Sequence, residues 1–139
     1  VENVSPSSHL FDHHYHTFER VRRSPALFNA IMYAAGRFFR PDVADKCLDM
    51  TEVAIARHMK LGDIDIPLVQ ALLTIVYWKR PSDPTAYYKL GLATRMICQL
   101  GIAWDIEDWD PASVSSEEEE RAKVDAERTV YSASSDRVC

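Results

Sequence analysis

The chain is punctuated for helices. Ser24-Pro25, Asp63 or Asp65 ahead of Pro67, and Asp83-Pro84 each set a small polar residue before a proline. That pairing opens a helix: the polar side chain accepts a first-turn N–H, and proline lacks the N–H that would go unpaired there. Gly62 and Gly101 each follow a stretch of helical apolar spacing, and glycine readily takes the left-handed conformation that closes a helix. With only 4 glycines in 139 residues, the many tight turns of an all-β fold are not supplied. The expected fold class is all-α, a multi-helix bundle of four to five antiparallel helices joined by short loops.

The apolar pattern fills in these helices. After Ser24-Pro25, the residues Leu27, Phe28, Ile31, Met32, Ala35, Phe38 and Phe39 predict one broad buried face, ended by Pro41. Asp42 is read as the cap of a second helix to about Leu61, with Ala44, Leu48, Ile55 and Met59 inward and Val53 near the edge. The third helix carries Leu68, Val69, Leu72, Leu73, Val76 and Tyr77; as the most apolar segment it belongs at the centre of the core. A fourth starts at Asp83-Pro84 and runs through Leu100, burying Tyr87, Leu90, Ala93 or Thr94, Ile97 and Leu100. An acidic loop with Trp104 and Trp109 follows. Ser116 and Glu119 then make a capping box for a fifth helix, with Glu117 to Glu120 at the end where the helix dipole favours negative charge. That helix fades past Tyr131 into Ser132, Ala133, Ser134 and Ser135, so the bundle reads as incomplete at the C-terminus. Residues 1–23 read as a linker or weakly ordered lead-in, either extended or a short irregular helix from Leu10 on, and residues 24–139 as the domain.

Charge and cysteine usage narrow the function. A net charge of -5 argues against direct nucleic-acid contact, because affinity for phosphates rests on a basic face. The dense basic cluster is Arg20, Arg22 and Arg23, and no lysine or arginine occurs between Asp105 and Glu120. Cys47, Cys98 and Cys139 are odd in number and far apart, which is not a disulfide framework and points to a reducing compartment. The longest apolar runs are too short to cross a bilayer. No Gly-x-Ser-x-Gly, phosphate-binding glycine loop or His-Glu-x-x-His is present, so no catalytic, cofactor-binding or metal-ligating residue is assigned and no enzyme is expected. His9, His13, His14 and His16 cluster near the start, but with no cysteine or glutamate placed to complete a site they read as a solvated stretch.

Three segments carry a resemblance. The first is Ser24 to Phe38, where Ser-Pro-Ala-Leu opens an alanine-rich apolar run ending in Ala-Ala-Gly-Arg-Phe. The second joins Val69-Gln70-Ala71-Leu72-Leu73 to Tyr87-Tyr88-Lys89-Leu90-Gly91-Leu92-Ala93-Thr94-Arg95 and then Leu100-Gly101-Ile102. The third is Glu127-Arg128-Thr129-Val130 with Asp136-Arg137. Together they resemble the fungal-specific transcription factor domain, the middle homology region of fungal zinc-cluster regulators. Val130 stands where that family has tryptophan, and Ser132 to Ser135 where it has apolar residues.

The resemblance implies a partial regulatory domain that modulates RNA polymerase II transcription in the nucleus. It implies a zinc cluster upstream of Val1 that reads DNA, zinc only in that full-length protein, and a small-molecule effector or transcriptional co-regulator as partner, with no membrane. Within it, Gly91 and Ala93 are expected at close helix contacts, Arg95 in a fold-maintaining ion pair, and Trp104 and Trp109 packed on the bundle. The alternative is a helical-repeat scaffold for protein–protein interaction, although no period of about 34 residues returns along the chain.

Overall fold

A computed structural model describes residues 10–101 and 116–133. Among the described residues there are helices and no strands: α1 (Phe18–Arg22), α2 (Pro25–Gly36), α3 (Pro41–Leu61), α4 (Ile66–Tyr77), α5 (Ala86–Leu100) and α6 (Glu117–Ala133). The fold is an all-α multi-helix bundle, as its punctuation predicts. Ser24 Oγ accepts the Leu27 N–H at 3.3 Å and Asp65 Oδ1 the Leu68 N–H at 2.9 Å, so Asp65 and not Asp63 caps α4. Gly62 and Gly101 close α3 and α5 at φ 69° and 75°, in the left-handed region where a side chain would clash.

The core is organised around α4. Every residue from Leu68 to Val76 is buried, the signature of a helix enclosed on all sides rather than along one stripe. The second helix, α2, packs against both α3 and α4, while α5 and α6 pack on α4 and on each other. Trp78 ties the α4 end to α2: its carbonyl accepts from Tyr33 Oη at 3.0 Å and Arg37 Nη1 at 2.7 Å.

Several faces differ from the sequence reading. In α2 the buried residues are Ala26, Leu27, Ala30 and Tyr33; Met32, Ala35, Phe38 and Phe39 are exposed. Two helices crowd α2, and its closest side is made of small alanines, which carry little weight in a periodicity argument. The helix also ends at Gly36, where the chain turns through Arg40 N–H to Gly36 O (2.7 Å), taking Phe38 and Phe39 out of register.

The third helix starts two residues early, with Arg40 as N-cap and Pro41 at N1. Asp42 does not cap it but pairs with Arg40 in the first turn. At 21 residues against 12 for α2, α3 is about 31 Å long and α2 about 18 Å. Its last turns overhang, leaving Met59 and Leu61 exposed. The fourth predicted helix opens at Ala86, because Asp83 instead closes a tight turn by accepting from Thr85 N and Oγ1 at 2.8 and 2.6 Å. Tyr87 and Thr94 consequently face solvent, and Ala86, Ala93, Met96 and Ile97 are the buried residues.

The largest correction concerns the lead-in. From Leu10 onward it is part of the bundle: Leu10 is 0% exposed and joins the core, as does Val21 of α1. The segment lacks helical periodicity because it folds as a turn, with His16 N bonded to Asp12 O at 2.7 Å, followed by a single short helix capped by Thr17. Replacing Leu10 by Ala should therefore cost about 2–5 kcal/mol, whereas Phe39→Ala, at 83% exposure, should stay within about 0.5 kcal/mol. Urea denaturation of the two variants checks both; equal effects would refute this assignment of the core.

Candidate functional site

An apolar helix enclosed on all sides must satisfy its polar side chains inside the protein. In the buried stretch of α4 these are Gln70 and Thr74. Thr74 Oγ1 donates back to the Gln70 carbonyl at 2.7 Å, the usual resolution for threonine within a helix. Gln70 reaches outward. Its Nε2 donates to both Asp125 oxygens, at 3.0 and 2.9 Å, and to Thr129 Oγ1 at 3.1 Å.

Asp125 is 5% exposed, an unusual place for a carboxylate unless it is paired. Besides Gln70, it meets His16 Nε2 at 3.1 Å and, farther off, Arg128 Nη1 at 3.9 Å. The tautomer of His16 follows from its other nitrogen. The Asp12 backbone N–H donates to Nδ1 at 3.0 Å, so the ring proton sits on Nε2 and points at Asp125. The Asp12 carbonyl is 3.2 Å from the same Nδ1.

Around this centre the side chains are arranged in one electrostatic sense. Arg128 also reaches Asp12 Oδ2 at 3.7 Å, and the His14 backbone N–H, donating to Asp12 Oδ1 at 2.8 Å, holds the Asp12 carboxyl below its ordinary range. Arg20 lies over the Tyr15 ring at 4.1 Å and pairs with Glu118 at 3.2 Å; burial raises the Tyr15 phenol above its usual value. A groove of about 410 Å³ opens beside the network, walled by Leu27, Ile66, Pro67, Leu100 and Ala122, with Gln70, His16 and Asp125 in its lining.

The residues singled out in the sequence divide sharply. Gln70, Thr129 and Arg128 come together here. Ala93 is fully buried, as close packing requires. Gly91 is exposed, and no described residue lies against the position its Cβ would take. Arg95 is also exposed and makes no ion pair among the described residues. Arg20 and Arg22 are drawn to separate acids, Glu118 and Glu19, so the basic cluster presents no single patch. Among the described residues no group of three or more His, Cys, Asp or Glu is placed to hold a metal. No helix among them is long and apolar enough to cross a membrane. Trp104, Trp109, His9, Cys139, Asp136 and Arg137 lie outside the described residues.

Sequence reasoning missed His16 and Asp125. A signal existed: Asp125, Thr129 and Ser132 recur at helical spacing on the buried side of α6, a polar stripe facing the one amide in an otherwise apolar helix.

Comparison with known proteins gives one distant likeness. Protein priB of Lentinula edodes is 32% identical over 102 residues, covering 71% of this chain and 16% of that protein's length. No family model matches the chain, and no solved structure matches it.

The network is expected to behave as a unit. Asp125→Ala removes the acceptors of the Gln70 amide and the His16 N–H, and should cost about 3 kcal/mol. A double-mutant cycle with Gln70→Ala should give a coupling of about 1–3 kcal/mol by urea denaturation. Additive effects would mean the two side chains do not act together.

Proposed function

We propose that this chain is part of the regulatory region of a fungal zinc-cluster transcription factor, acting on RNA polymerase II transcription in the nucleus. Zinc and DNA contact belong, in this reading, to a cluster outside the chain. The observation that carries it is the bond between two segments on which the resemblance rests. Gln70, from Val-Gln-Ala-Leu-Leu, donates to Thr129, from Glu-Arg-Thr-Val, at 3.1 Å. Segments that are 59 residues apart and resemble the same family are more than compositional echoes when their polar residues complete each other in the core.

The charge supports a division of labour. At -5, with its arginines dispersed among acids, this region is suited to regulation rather than phosphate binding. A small-molecule effector or a co-regulator is the partner such a module needs. The helical-repeat alternative draws no support from the helix lengths. A 21-residue α3 beside a 12-residue α4 does not repeat as a unit, and stacked repeats contact only their neighbours whereas α4 touches α2, α3, α5 and α6.

Fused to a heterologous DNA-binding domain, the chain should change transcription of a reporter bearing that domain's sites, and Asp125→Ala should abolish the change. An unaffected reporter, together with a full-length transcript lacking six cysteines in zinc-cluster spacing, would remove the proposal.

A further inference from the structure

The groove beside Gln70 has a chemistry of its own, independent of the regulatory reading. Two acceptors in its lining have spare capacity. The Gln70 side-chain oxygen Oε1 accepts no hydrogen bond among the described residues, although the residue is 1% exposed; the amide's bonds to Asp125 and Thr129 are all made through Nε2. Among the described residues Asp125 Oδ2 receives the Gln70 N–H alone, while a carboxylate oxygen has room for two donors. A buried acceptor left open is costly, and it calls for a donor.

The charges select which donor. Asp65 and Asp125 both line the groove, and Arg20, the guanidinium among the lining residues, is already paired with Glu118 at 3.2 Å. The His16 proton is directed at Asp125 Oδ1, so Oδ2 has the Gln70 N–H alone among the described residues. Above these acceptors the walls are apolar, from Leu27, Ile64, Ile66, Pro67, Leu100 and Ala122, and the volume of about 410 Å³ falls in the range of small-molecule sites.

We infer that this groove binds a small organic amine, its ammonium group donating to Gln70 Oε1 and Asp125 Oδ2 and its compact hydrocarbon body against the apolar walls. An anion is rejected by the two carboxylates, and a neutral alcohol makes weaker bonds to the same oxygens. No covalent step is involved.

The test titrates the 139-residue chain, ¹⁵N-labelled, with three probes of one shape: cyclohexylmethylamine, cyclohexylmethanol and cyclohexanecarboxylate. The amine should give saturable shifts at the Gln70 side-chain amide and the Ala122 backbone. The alcohol should bind about tenfold more weakly, and the carboxylate should not saturate. Ala122→Trp, which fills the groove from its partly buried α6 wall, should abolish amine binding in a chain that still melts cooperatively. Asp125→Asn, where it folds, should erase the preference for amine over alcohol. Equal binding of all three probes, amine binding that survives Ala122→Trp, or no saturable shift with any probe would each overturn the assignment.

Discussion

Enclosing α4 on every side is the constraint from which the rest of the structure follows. A helix that touches solvent can leave a glutamine in water. Gln70 has no such outlet, so its amide must be met by other elements, and those elements must come to it. Asp125 and Thr129 do so from α6, one turn apart, and this fixes which face of α6 points inward. Asp125 then needs donors of its own, and His16 supplies one from the lead-in. One buried amide thus specifies the placement of a helix 55 residues downstream and of a turn 54 residues upstream.

Apolar contacts alone would hold α6 far less specifically. Its buried residues are Asp125, Ala126, Thr129 and Ser132, of which only Ala126 is hydrophobic. Sliding α6 by one turn would strand Gln70, Asp125 and His16 together. Unsatisfied buried groups cost about 1–3 kcal/mol each, so register here is enforced by penalty rather than by attraction. The arrangement is comparable to the use of buried polar residues to select one packing among several of similar hydrophobic quality. The Tyr77 hydroxyl, donating to the Ser132 carbonyl at 3.1 Å, fastens the far end and carries the helix through the serine-containing turn where its apolar pattern gives out.

What the sequence made legible was the punctuation. Caps at Ser24 and Asp65, glycine stops at Gly62 and Gly101, and the centrality of α4 depend on local stereochemistry or on sheer apolar content, and both are written in neighbouring residues. Faces were less legible. The inward side of α2 is built from Ala26 and Ala30, because helices approach most closely where side chains are smallest, whereas periodicity is weighted towards large residues such as Phe38 and Phe39. The lead-in was misread for a related reason: a turn followed by five helical residues has no period to detect, and Leu10 is anchored by tertiary packing alone. The His16–Asp125 pair was illegible because each member sits among residues that signal solvent, three other histidines in one case and a run of glutamates in the other.

The groove and the network share Gln70, His16 and Asp125, and this sharing sets what an occupant can do. The lining draws on the lead-in, α2, the α3–α4 connection, α4, α5 and α6, so every element except α3 borders it directly or through a single turn. A bound molecule shifts a conformational equilibrium only by its difference in affinity for the two states. Because one open acceptor of the groove, Asp125 Oδ2, also takes the Gln70 N–H that ties α6 to α4, any arrangement that moved α6 would dismantle the site. A ligand satisfying those acceptors therefore favours the arrangement described here over any in which α6 is displaced, and it does so without contacting most of the helix it holds.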